Sequence, residues 1–197
     1  GVTATTGNVT MADGTIYGTG SGQVDVLAAT NVVLGEITTT SSAINVTATA
    51  GAITETTAAE TANLTTSGTA TLVAATGIGS AGGAADLDTT LGTLVATNTT
   101  SGNIVVQETS GLIIGGTGVL TQGGNGNIDV RTTAGAIDVN SVVTADGSGD
   151  VTLNAAGLLT VNAGVSSTTG DLSLTGGTGV THNAAGDLAT TGVGTIG

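Results

Sequence analysis

Short runs in which every second residue is aliphatic recur along the whole chain. Ile128-Asp-Val130, Ile137-Asp-Val139, Val151-Thr-Leu153 and Leu172-Ser-Leu174 are examples, each flanked by Gly, Asn, Asp, Ser or Thr. A period of two marks a strand with one face buried, and the flanking residues are those that turn a chain sharply. No 3.6-residue period competes with it. Ala is abundant but lies among Thr, Val, Gly and Asn, all weak helix formers. A helical turn is expected at most within residues 55–62. The pattern predicts an all-β protein of short strands and turns.

The runs share a signature of small, polar and aliphatic residues in that order. Its aliphatic anchors are Val9, Val24, Ile44, Leu64, Leu87, Ile104, Ile128, Val151, Leu172 and Leu188, spaced 15 to 24 residues apart. The mean step of roughly 20 residues is about one turn of a three-sided parallel β-helix, and no leucine-rich consensus appears. Inside the best-formed coils three strands can be read. Residues 126–147 give Gly-Asn-Ile-Asp-Val, then Gly135-Ala-Ile-Asp-Val139, then Val142-Val-Thr-Ala145, and the next coil repeats the series. The predicted fold is therefore a right-handed parallel β-helix (β-solenoid) of about ten coils, three short strands per coil, as a single segment over residues 1–197. Ten rungs would make a rod on the order of 48 Å long. A coil of this kind is stable only against its neighbours, and its edges are open. The expected partners are accordingly copies of the chain, or further repeats of the same polypeptide, stacked end to end in a longer fibre.

Composition agrees with a thin core. The chain has no Pro, Cys, Trp or Phe, and Tyr17 is its one aromatic residue, yet 39% of it is apolar. A compact globule of 197 residues would need bulkier side chains at its centre. One Lys+Arg against fourteen Asp+Glu leaves a net charge of −13. Nucleic acid and anionic lipid, both usually met by clustered Lys and Arg, are thereby excluded as partners. No apolar run approaches the length of a membrane span, so no membrane insertion is expected. Excess negative charge keeps a surface polymer soluble, and weakly held Ca²⁺ is the one cofactor worth weighing.

The phrases Ser101-Gly-Asn-Ile-Val-Val106, Gly126-Asn-Ile-Asp-Val130, Ala134-Gly-Ala-Ile-Asp-Val139 and Ser148-Gly-Asp-Val-Thr-Leu-Asn-Ala155 resemble the repeats of filamentous-haemagglutinin-type exoproteins and giant repetitive bacterial surface adhesins. The resemblance is strongest over residues 77–190. It implies an extracellular protein of the bacterial cell surface, exported across the outer membrane, and roles in adhesion, biofilm cohesion and contact with other cells or surface glycans. The expected function is a structural or adhesive fibre or stalk segment. A flank-binding module for a glycan or receptor is the alternative, and an ice-binding solenoid a more remote one.

Candidate sites weigh little beside structural readings. The residue before each anchor forms a series: Asn8, Gln23, Ala43, Asn63, Asp86, Asn103, Asn127, Asp150, Asp171 and Asp187. Apart from Ala43, all are amides or carboxylates, suited to a corner because Asn and Asp tolerate left-handed backbone and bond nearby main chain. Stacked amides can also bond from rung to rung. Successive Asp150, Asp171 and Asp187 would repel one another about 4.8 Å apart, so either they share a Ca²⁺ as candidate ligands or an irregular coil separates them. Gly123–Asp129 is similar to one calcium-binding nonapeptide but carries Ile128 at the sixth position and is not repeated. Triplets such as Thr3-Ala-Thr5, Thr47-Ala-Thr49 and Thr69-Ala-Thr71 suit an ice-binding array but do not recur in every coil. The sequons at Asn8, Asn45, Asn63 and Asn98 are of the number expected by chance in an Asn- and Thr-rich chain. Catalysis is not expected: the chain has no Lys, and Arg131 and His182 lie about two coils apart. Asp129 and Asp138 fall at outward strand positions.

Overall fold

The structure is a computed structural model that describes residues 1–56, 61–80 and 85–197. It is all-β, with no helix among the described residues, and its strands stack in parallel as a β-solenoid. Of the helical turn considered for residues 55–62, residues 57–60 lie outside the described residues.

The clearest guide to the stack is one inward column on what is here called the second face. Val9, Val32, Ile53, Ile78, Ile104, Ile128, Val151, Leu172 and Ile196 pair successively, in steps of 21 to 26 residues. That makes about eight turns, close to the ten anticipated, and a rod of ~40 Å at one rung spacing per turn. Every anchor read from the sequence opens a strand, but on different faces. Val24, Ile44 and Leu188 belong to the first face, and Leu64 and Leu87 to the third. Some steps between anchors are thus less than a turn, which shortened the apparent period.

The first face carries β1 (Val2–Ala4), β4 (Val24–Ala28), β7 (Ile44–Ala48), the later parts of β9 (Leu64–Ala74), β10 (Leu87–Asn98) and β12 (Leu112–Thr121), then β15 (Val143–Ala145), β18 (Val165–Ser167) and β21 (Leu188–Thr190). The second face holds β2 (Val9–Thr10), β5 (Val32–Leu34), β8 (Ile53–Glu55), β11 (Ile104–Glu108), β13 (Ile128–Thr132), β16 (Val151–Ala155) and β19 (Leu172–Gly176). The third face begins with β3 (Ile16–Thr19) and β6 (Glu36–Thr39), passes to the early parts of β9 and β10, and is formed later by the start of β12 with β14 (Ile137–Val139), β17 (Leu158–Val161) and β20 (Gly179–His182). The strands legible in residues 126–167 are thus β13 to β18.

Alternation does what it promised: Val24, Val26 and Ala28 in β4, or Val151, Leu153 and Ala155 in β16, are buried while the residues between them face outward. Ile and Val fill the core in stacked columns, and their branched side chains suit a pleated surface.

The two halves of the rod do not share one cross-section, and β10 is where they join. Along one edge β10 pairs with β9 alone, from Thr89↔Leu64 to Asn98↔Ala74, with one shift of register between Leu91 and Thr93. Along the other it divides. Leu87–Thr89 pair with Val106–Glu108 of β11, whereas residues 93–98 pair with β12. The inward column Val24, Ile44, Ala70, Leu94 then continues as Ile114, Val139, Val161 and His182, passing from the first face to the third. Likewise Tyr17, Ile37, Leu64 and Thr89 continue as Glu108 and Thr132 on the second face. The core columns run on; the corners move. In β12 four residues, Gly115–Gly118, stand where β10 has Val95 alone, and they open the new corner. Gly118 has φ +92°, and a Cβ there would lie 2.0 Å from the Val142 carbonyl oxygen, so only glycine fits.

Candidate functional site

The polar residues of the flank are arranged in three groups: an edge ladder, an asparagine ladder and a threonine-lined trough.

The edge between the first and second faces is held by side chains that accept from the backbone of the next rung. Asn8 Oδ1 accepts the Asn31 N–H at 3.1 Å, and Asn31 Oδ1 accepts that of Ala52 at 2.9 Å. After Ala52 and Gly77, which have no side-chain acceptor, the ladder resumes. Asn103 accepts from Asn127 (2.9 Å), Asn127 from Asp150 (2.9 Å), Asp150 from Asp171 (2.8 Å) and Asp171 from Thr195 (2.7 Å). Each of these positions immediately precedes a residue of the Val9–Ile196 column. A corner N–H left out of the strand ladder thus finds a partner one rung away, satisfying a donor that would otherwise be left to water. Asp171 also accepts the Thr195 hydroxyl at 3.0 Å, and the Thr195 N–H and hydroxyl together hold its carboxyl below the usual range.

Of the ten residues aligned from the sequence, five stand on this edge: Asn8, Asn103, Asn127, Asp150 and Asp171. The others stand elsewhere. Gln23 and Ala43 precede first-face strands in the amino-terminal half, and Gln23 Nε2 donates to Asp25 Oδ1 at 2.7 Å. Asp25 also accepts from Asn45 Nδ2 at 2.7 Å, and these two bonds, that from Asn45 foremost, lower its pKa. Asn63 and Asp86 are buried at the entries to β9 and β10. Asn63 Oδ1 accepts the Asp88 N–H at 3.2 Å and its Nδ2 donates to the Gly35 carbonyl at 3.3 Å. Asp187 precedes β21 at a different corner from Asp150 and Asp171. The three candidate Ca²⁺ ligands therefore do not lie in one column, and each Oδ1 of the two that do already accepts a backbone N–H. Among the described residues no cluster of three His, Cys, Asp or Glu side chains is placed to hold a metal.

Sequence reading missed Asn31, whose Thr-Asn-Val setting lacks the small residue of the signature. It also missed the asparagine ladder. Asn162 Nδ2 donates to Asn140 Oδ1 at 2.7 Å, and Asn183 Nδ2 to Asn162 Oδ1 at 2.5 Å, along the corner between the third and first faces. The signal was there: each follows the last residue of a third-face strand, Val139, Val161 or His182.

The trough lies on the third face of the amino-terminal half, with a volume of about 760 Å³. Its floor is the register Gly18, Thr38, Thr65, Thr90, with Thr40, Ser67 and Gly92 alongside and Ser110 closing it. A Cβ on Gly92 would come within 2.1 Å of the Ser67 carbonyl oxygen, so this inner bend is as tight as the backbone allows. No lining residue carries a charge. The T-x-T triplets do not combine here or elsewhere: Thr3 stacks on Leu27, and Thr47 and Thr71 pair with Val73 and Asn45.

The remaining candidates are dispersed. Gly123, Gly124 and Asn125 form a left-handed corner, and Asn125 Oδ1 accepts the Ser148 N–H at 3.0 Å. Arg131 forms an ion pair with Asp129 on the outer side of β13. Asp138 pairs in register with Ile113 and Thr160. His182 is exposed, in register with Val161 at the end of its column, its Nδ1 3.1 Å from the Gly186 carbonyl oxygen. Of the sequons, Asn63 and Asn98 are buried, and Asn98 Nδ2 donates to the carbonyls of Ser101 and Gly102, both at 2.6 Å. No known protein family matches the chain, and neither a curated protein nor a solved structure matches it.

Proposed function

We propose that the chain is a structural segment of an extracellular bacterial surface fibre of the filamentous-haemagglutinin kind, serving as a stiff spacer or stalk in an adhesive filament. The observation that supports this is the use to which its polar side chains are put. Asn, Asp and Thr residues of the flank bond the next rung, at 21 to 24 residues' separation, over and over. Such groups resist bending and twisting between rungs and leave little to do chemistry, so the reading assigns no reaction to the chain. Neighbouring rungs stabilise one another additively, so further repeats or copies of the chain lengthen the stack without a new kind of contact. Antibodies raised against the chain should label intact source cells along filaments, seen by immunogold microscopy. Labelling that appears only after lysis would overturn the proposal.

A second reading, a flank module for a neutral glycan, is favoured by the uncharged, largely apolar trough, which could take the face of a sugar ring. It expects glycan-array binding that Thr65→Arg abolishes and Thr144→Arg, on the first face, leaves intact.

A further inference from the structure

Three acids are buried at the joint at β10, Asp86, Asp88 and Glu108, and of these Glu108 takes the place of a core side chain. Glu108 stands in an inward column between Thr89 and Thr132 and is fully buried. Its Oε2 accepts the Leu91 N–H at 2.8 Å and the Thr89 hydroxyl at 2.9 Å. Its Oε1 accepts the Ser110 N–H at 2.9 Å and the Ser110 hydroxyl at 2.8 Å. Leu91 lies in the stretch of β10 between its pairing with β11 and its pairing with β12, and the carboxyl supplies the acceptor that the divided ladder does not.

No cation balances this charge. The chain's one Lys or Arg is Arg131, which is paired with Asp129 on the opposite side of β13. The other charged group on the packed strands is Asp88 of β10, which is also buried but by strand alternation faces away from Glu108 and accepts from Gln107 Nε2 at 3.0 Å. Asp86 lies buried just before β10, and β12 and the turn at residues 109–111 carry no titratable group. A carboxylate removed from water among neutral donors is disfavoured relative to its protonated form.

We propose that Glu108 makes the middle of the rod a proton-tightened joint, loosest when its carboxyl is ionised and firmer once it is neutral. The proton comes from solvent to one carboxyl oxygen, and the Thr89 or Ser110 hydroxyl beside that oxygen rotates from donor to acceptor. Burial raises the pKa of Glu108, outweighing the hydrogen bonds from Ser110, Thr89 and Leu91. The sign follows: the unfolded chain loses its proton first. The joint is therefore fully stable below the ordinary glutamate value and weakens as pH rises to the raised one.

The test is hydrogen exchange on the whole chain, read as protection factors for amides of residues 87–89 and 106–108 at pH 7 and pH 5. In the wild type, opening at the joint should fall several-fold on acidification relative to amides of β13 and β16. In Glu108→Gln that relative change should vanish. Equal changes in both proteins, or looser joints at pH 5, would overturn the proposal. If Glu108→Gln does not fold, a carboxyl-carbon NMR titration of the wild type decides instead. A Glu108 midpoint above the ordinary glutamate range supports the joint, and one at or below it overturns it.

Discussion

The two halves of the rod share inward columns that run on across β10, mostly aliphatic but polar in places such as Thr89 and Glu108, yet they are finished differently at the edges. From Asn103 to Thr195 each rung of the first-to-second edge is tied to the next by a side-chain acceptor, and Asn140, Asn162 and Asn183 tie a second edge. Before residue 98 the first ladder stops at Asn31. Since the columns cross β10 without a break, the core does not dictate where the corners fall. Corner position is set by glycine and by short polar side chains; the core requires only that an inward residue, usually aliphatic, return every turn.

If that division of labour holds, the largest effects should be indifferent to the half in which they are made. Leu94→Ala, at the handover, and Ile128→Ala, in the regular half, should each cost about 2–5 kcal/mol through lost burial and a residual cavity, measured by urea unfolding. A loss at Leu94 of under about 1 kcal/mol would mean that the column is not continuous there. Edge changes should separate the halves. Asn127→Ala removes the acceptor of the Asp150 N–H and should cost about 1 kcal/mol, with faster exchange of that amide alone. Asp150→Asn keeps an oxygen at the same place and should be nearly silent. Ala52→Asn, which adds an acceptor where the ladder is interrupted, should gain about 0.5 kcal/mol, and Asn162→Ala should lose a similar amount. The smallest effect is that of acid on Asp171 and Asp25. Both have lowered pKa values, so their contribution is complete above the ordinary aspartate range and disappears as pH falls through the lowered values. Thr195→Val, which removes one donor to Asp171, should move that loss to higher pH in an acid titration followed by circular dichroism.

Much of this was legible in the residues, and the limits are instructive. The strands of residues 126–167 could be read one by one because alternation and turn residues agree there. Which face a strand occupies could not be read, because all three faces ask for the same inward Val, Ile or Leu. Gln23 was aligned with Asn8 for that reason, although Asn31 is its neighbour in space. Coil length depends on the corners, as Gly115–Gly118 against Val95 shows. Glu108 did leave a trace: in Ile104-Val-Val-Gln-Glu108 alternation puts the glutamate in phase with Ile104 and Val106, on the inward side. A charged residue at a core phase is the kind of local inconsistency that marks a special position.

The passage of Leu94 into Ile114 has a consequence for how such a chain can change over time. The columns act as a reading frame, advanced one inward residue per turn, while corners are spacing between words. Residues can be gained or lost at a corner, as Gly115–Gly118 are against Val95, without shifting the frame for any rung beyond. A slip of one residue inside a strand would turn the rest of that strand's side chains to the wrong side. Variation in length among chains of this design should therefore gather at the corners and spare the strands.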